Sequence, residues 1–175
     1  SLNEINDAIK KNPYHGESFL VQGEILFEQG AYNQAIEALE KSLELDPNLA
    51  RSHYLLGRCY QKKNQPEKAY EIFWNGLDLH PEHALSRLEA SLIDIQTFNQ
   101  LNKAEGNLKI VTQFPSLLSP QALARGHYHL GWIYQEKKQI DFALKEYQKA
   151  SQLDPTPAHL EAFQKLGGEQ AQSKA

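Results

Sequence analysis

Seven histidines and one cysteine are the first side chains to weigh as metal ligands or as a thiol nucleophile. His80-x2-His83 straddles Pro81, and His127-x-His129 turns two rings to different faces of one helix. A zinc centre needs several converging ligands and a second shell, which neither pair supplies, so no metal site is expected. Cys59 lies beside Tyr60 and reads as a small buried side chain. A single cysteine also forbids an internal disulfide or a cysteine cage for zinc. The sequence contains no glycine-rich phosphate loop, no nucleophile elbow and no carboxylate pair placed for acid–base work. These features predict no catalytic residues, no cofactor and no enzymatic activity. What remains is a set of aromatic and charged residues at helical spacing, which is the chemistry of binding.

Composition narrows the partner. The 175 residues are 41% hydrophobic and 23% charged, ordinary values for a folded chain. Lys+Arg 18 against Asp+Glu 22 gives a net charge of −4, so no basic field attracts a nucleic-acid backbone. No apolar run approaches the length of about 18 residues that spans a bilayer, and residues 1–20 show no signal-peptide pattern. A cytoplasmic setting is favoured on these grounds. Ser1 and the absence of methionine point to a processed product or a segment of a longer protein.

The elements that must carry the binding residues repeat along the chain. Stacking 16–49, 50–83 and 124–157 aligns Gly23, Gly57 and Gly131, then Leu26, Tyr60 and Tyr134. Ala35, Ala69 and Ala143 coincide next, followed by Leu39, Phe73 and Tyr147, and by Pro47, Pro81 and Pro155. Each unit reads as two amphipathic helices. The small residues let two helix axes approach closely, and the large ring fills the space beside the crossing. Asp-Pro pairs end the second helices, Pro66 fits a first turn, and Ser119-Pro120 reads as an N-cap with a first-turn proline.

With these columns in agreement, the chain resembles the tetratricopeptide repeat (TPR) family. The resemblance implies an all-α fold, a right-handed α-α superhelix of antiparallel helix pairs. We read 2–13 as the second helix of a partial repeat, 16–49 and 50–83 as repeats one and two, and 124–157 as repeat four. Residues 84–123 form a degenerate third repeat with an insertion. Its preferred register takes one extra residue after Pro81 and puts Leu92 in the glycine column, which predicts splayed helices. The register one residue earlier would bury Arg87 and Asp94. Residues 158–166 form a capping helix ended by Gly167-Gly168, and 167–175 a disordered tail.

In the family, the first helices line a concave face, and the resemblance implies that a partner peptide binds there. The inward positions are Leu20, Glu24 and Phe27 in repeat one, Arg51, Tyr54 and Arg58 in repeat two, and Arg125, Tyr128 and Trp132 in repeat four. Leu20, Tyr54 and Tyr128 form an apolar ribbon joined by Phe27 and Trp132. The charges have two readings: a groove that orients a charged peptide, or Glu17–Arg51, Glu24–Arg58 and Glu28–Lys62 pairs that fix repeat register. We favour the pairs. Trp74 either covers the 84–100 region or marks a contact on the convex side. The carboxylate clamp by which some TPR proteins hold chaperone C-termini is disfavoured, because Leu20, Glu24 and Leu55 stand where basic and amide groups are needed. Function is therefore expected to be protein–protein scaffolding. Alternatives are the TPR arm of a larger enzyme or secretion or assembly machine, and self-association through Leu2, Ile5 and Ile9.

Overall fold

The computed structural model describes residues 1–173, which form ten α-helices, one short 3-10 turn and no strand. In order they are α1 (Leu2–Lys11), α2 (Gly16–Glu28), α3 (Tyr32–Leu45), α4 (Ala50–Lys62), α5 (Pro66–Leu79), α6 (Ala84–Gln96), α7 (Leu101–Gln113), α8 (Pro120–Glu136), α9 (Ile140–Leu153) and α10 (Pro157–Ser173). The 3-10 turn, Pro115–Leu117, lies between α7 and α8. Two compact units divide the chain, Ser1–Ile93 and Asp94–Ala175.

Helix ends follow local chemistry. Ser1 and Glu4 close a reciprocal capping box on α1. Pro66 opens α5, and the Ser119 hydroxyl accepts the Ala122 amide at 3.2 Å to cap α8. Four hairpin reversals each pass through one left-handed residue: Gly30, Asn64, Asn99 and Lys138. After three of them the next amide reaches back to the last helical turn, from Ala31 to Leu26, Gln65 to Tyr60 and Gln139 to Tyr134, at 2.8–2.9 Å. This is a Schellman closure, which satisfies carbonyls the helix leaves open.

In the first unit, α2 packs on α3, α4 on α5, and α3 on α4. Leu26, Ala35, Ile36, Leu39, Leu55, Leu56 and Cys59 form the buried core, with Leu2 of α1 packed against it. In the second unit, α8 packs on α7 and α9, and α10 covers α9. Ala104, Leu108, Val111, Ile133, Tyr147 and Ala150 are buried there. The glycine column works as a close approach. A Cβ on Gly57 would meet the Phe73 ring, with Cδ1 at 2.7 Å, and one on Gly131 would meet Tyr147 at 2.8 Å.

The third repeat corrects the preferred register. α6 begins at Ala84, in step with Ala50 of α4 and Gly16 of α2. The extra residue falls in the turn after α6, where Gln100 donates to the Asp94 carbonyl at 2.7 Å across a span one residue longer than its equivalents. Ser91, fully buried, therefore occupies the glycine column, and Leu92 does not. The splayed packing inferred from Leu92 loses its basis. Asp94 is indeed buried at 0% exposure, with Lys103 Nζ 3.9 Å away. Arg87 takes the column of His53, and each donates to the proline carbonyl six residues back, Pro81 at 2.7 Å and Pro47 at 3.0 Å. A polar group in a packing column is tolerated because it finds a backbone partner.

The last helix is also longer than expected. α10 continues through Gly167-Gly168 to Ser173, so residues 167–173 are helical rather than a disordered tail. Leu166 is buried, and a Cβ at Gly167 would lie 3.8 Å from Leu144. Packing on α9 up to this point outweighs a helix cost of about 1 kcal/mol per glycine. Residues 174–175 of the expected tail lie outside the described residues. At the other end, Leu2, Ile5 and Ile9 are half-buried, and Asn6 accepts a hydrogen bond from Gln22 at 2.8 Å. The apolar side of α1 is thus partly covered by its own chain.

Candidate functional site

Positions recurring every three to four residues on α2 and α4 bring one group of the expected binding residues together in the first unit. Leu20, Phe27 and Tyr54 are half-buried and pack against the core while keeping part of their surface open. Arg58 lies over both rings, 5.9 Å from the centroid of Phe27 and 5.8 Å from that of Tyr54. Its guanidinium donates to the Tyr54 hydroxyl at 2.8 Å. A cation held between two aromatic faces is fixed in position, because its stem and both rings lose freedom together. The Tyr54 ring also leans on Phe73 at 6.2 Å and on His83 at 5.7 Å.

The two arginines on this face are paired, but not with the expected partners. Arg51 is bonded to Glu24, not Glu17. Arg58 faces Glu89 of α6 at 3.7 Å, not Glu24. Gln61 donates to the other Glu89 oxygen at 3.3 Å. Burial works against the charge of Arg58, but Tyr54 and Glu89 outweigh it and hold the guanidinium above its ordinary range. Glu89 is 3% exposed, and the sequence reading did not match it with Arg58. A strict continuation of the period from Ala50 to Ala84 puts it in the column of Val21, Leu55 and His129, within reach of Arg58.

The remaining residues lie in the second unit, on α8. Arg125 and Trp132 are half-buried. Tyr128 is enclosed by rings, with Tyr147 at 5.5 Å, His159 of α10 at 5.1 Å and His129 at 5.3 Å. Part of its surface is therefore spent on packing the capping helix. Beneath it, His127 is buried and bonded through Nδ1 to Glu146 at 2.6 Å, and Lys149 donates to the same carboxylate at 2.7 Å. Burial raises the Glu146 pKa, but His127 and Lys149 more than offset it and hold the carboxyl below its usual range. Trp74 is half-buried on α5, edge-on to Tyr70 at 6.1 Å, with its indole nitrogen out of solvent.

The histidine pairs are engaged in turns and helix ends. His80 Nε2 contacts the Asn48 carbonyl at 2.7 Å, and His83 Nδ1 contacts Ser86 Oγ at 2.8 Å. Among the described residues no three His, Cys, Asp or Glu side chains converge as a metal would require. Burial pushes the Cys59 thiol up to about 11, which keeps it protonated at neutral pH. No described helix is long and apolar enough to cross a membrane.

Comparison with known proteins agrees with this architecture. A model described as TPR repeat matches residues 23–64, and two described as Tetratricopeptide repeat match 50–83 and 124–157, together covering more than half of the chain. The chain belongs to the tetratricopeptide repeat family and so to a class of protein-interaction scaffolds. A BBSome complex member BBS4 homolog of Drosophila melanogaster is 32% identical over 109 residues, 62% of this chain and 21% of that protein. A TPR repeat-containing protein of Dictyostelium discoideum is 28% identical over 160 residues, 87% of this chain and 59% of that one. The human Protein O-mannosyl-transferase TMTC3 is 26% identical over 148 residues, 83% of this chain and 16% of that one. The chain thus spans between about a sixth and three fifths of these relatives. Among solved structures, YrrB, titled a TPR protein with an unusual peptide-binding site, superimposes with a TM-score of 0.79 at 16% identity, over 98% of this chain and 86% of that chain. MamA gives 0.72 at 22% identity, over 88% and 86%. These likenesses show a shared TPR solenoid fold.

Proposed function

We propose that this protein is a non-catalytic scaffold that docks a peptide segment or helix of a partner protein on the inner faces of its first helices. The observation that carries the reading is the Phe27–Arg58–Tyr54 stack, a packed and partly open aromatic surface flanked by Leu20, Glu24 and Arg51. Aromatic rings and arginine already fixed in place lose little entropy on binding, which is why they recur as anchors. Arg125, Tyr128 and Trp132 offer a second patch on α8, of which Trp132 is the best anchor because Tyr128 is engaged with α10. YrrB, whose fold is shared, is described as having a peptide-binding site of its own. A buried, protonated Cys59 and a His127 bonded to a Glu146 that Lys149 also holds support the non-catalytic reading.

The test is selection of a random peptide library on the whole protein, followed by affinity measurements with Arg58→Gln and Trp132→Ala. Loss of at least about tenfold in one variant, with unchanged helical circular dichroism, is expected for the patch that binds. Unaltered affinity in both variants overturns the site. A second reading, the TPR arm of a larger enzyme or assembly machine, is favoured by one observation: the chain matches only 16% of a relative named a transferase. The open reading frame that contains this sequence decides between them, since an attached catalytic or membrane domain supports the second reading. In either case a chaperone carboxylate clamp is disfavoured, because Leu55 is buried and Glu24 is already bound to Arg51.

A further inference from the structure

Both arginines on the α2/α4 face already have a carboxylate. Arg51 holds Glu24 near the surface, and Arg58 faces Glu89, whose side chain is 4% exposed and is steadied by Gln61. These pairs differ in one respect that matters for recognition. The Arg51 side chain is mostly exposed, so a competing anion and salt can reach it. Glu89 is buried, out of reach of a competing cation from solvent, and held on its other oxygen by Gln61.

We infer that Glu89 is a specificity-determining residue, which makes the Phe27–Arg58–Tyr54 face select uncharged, apolar peptide segments and reject acidic ones. The inference rests on the peptide-docking reading above and names the class of peptide. An incoming carboxylate placed against Arg58 would also lie within a few ångströms of the Glu89 carboxylate. Attraction and repulsion then nearly cancel, while the cost of stripping water from the incoming charge remains. A neutral segment pays no such cost. It can lay apolar side chains on Leu20, Phe27 and Tyr54. A main-chain carbonyl can still accept from a guanidinium edge, which carries five donors in all. The other charges of the two helices, Glu17, Glu28 and Lys62, are exposed and contribute only screened, long-range effects. Discrimination thus comes from a built-in repulsive element, a common device where one surface must refuse a class of partner.

The experiment selects a random displayed-peptide library on the full chain, wild type and Glu89→Gln in parallel, and measures affinities of the enriched peptides at low and high salt. Wild type should enrich apolar or aromatic peptides without net negative charge, whose affinity changes less than about twofold with salt. Glu89→Gln, with its lone Arg58 cation, should enrich acidic peptides whose affinity falls at least about tenfold at high salt. Acidic, salt-sensitive peptides enriched by wild type, or identical peptide sets from both proteins, overturn the inference while leaving peptide docking intact. Enriched peptides insensitive to Arg58→Gln and to Leu20→Ala overturn the docking reading on this face, and the inference with it. If Glu89→Gln does not fold, the charge and salt profile of the wild-type peptides alone decides.

Discussion

Gly57→Ala tests whether the glycine column is a packing contact. In the helix interior, alanine in place of glycine would by itself stabilise by about 1 kcal/mol. Here the added Cβ enters the space of the Phe73 ring, with Cδ1 at 2.7 Å and Cζ at 2.8 Å. Phe73 is fully buried and its ring already meets Tyr54 at 6.2 Å, so it has no open side to move into. Overpacking of this kind costs about 1–3 kcal/mol, enough to cancel the propensity gain and to leave the variant up to about 2 kcal/mol less stable. Gly106 on α7 is the internal control, since it is exposed and a Cβ there meets nothing within 4 Å. Gly106→Ala should gain up to about 1 kcal/mol. Urea unfolding followed by circular dichroism should place the Gly57→Ala midpoint below that of wild type and the Gly106→Ala midpoint above it. A Gly57→Ala protein as stable as Gly106→Ala would refute the close-approach account.

Three further outcomes follow from the same structure. Burial holds the His83 imidazole below its ordinary value near 6.5, aided by His80 and Arg51 and opposed by Glu82. The unfolded chain therefore takes up this proton first, and the stability contribution, complete above about pH 6.5, is lost as pH falls through the folded value. His83→Asn, which keeps an acceptor before α6, should remove that step from thermal unfolding profiles, while the deeper acid loss from Glu146 persists. Lys138 carries a side chain in the left-handed region at φ 58°, so Lys138→Gly should stabilise by about 1 kcal/mol in the same urea assay. Cys59, fully buried with its thiol pushed up to about 11, should resist a thiol reagent in native buffer and react fully in denaturant.

Much of this was legible from residue columns, because glycine, alanine, ring and proline each have one mechanical task at a fixed place in the hairpin. Gly23 with Leu39, Gly57 with Phe73 and Gly131 with Tyr147 meet as their spacing predicts. The third repeat misled for a definable reason. Asp94 in a packing column looked forbidden, yet the helix starts at Ala84 and places it at 0% exposure. Ser91 rather than glycine keeps the crossing small, and its hydroxyl donates to the Arg87 carbonyl at 2.7 Å. Once that register slipped, Glu89 could not be matched with Arg58. The ion pairs were legible in kind but not in partner, because long side chains reach diagonally to the next helix, as Arg51 does to Glu24. The tail was read from Gly167-Gly168 alone, without the packing of Leu166 that carries α10 past them.

The central claim is that a partner peptide docks on the inner face of α2 and α4. The most direct measurement is an amide chemical-shift titration of the whole protein with a library-selected peptide. The account predicts shifts concentrated at Leu20, Glu24, Phe27, Tyr54 and Arg58, lost in Arg58→Gln. Shifts confined to α1 or to the outer helices α3 and α5, with the Arg58 neighbourhood silent, would contradict it.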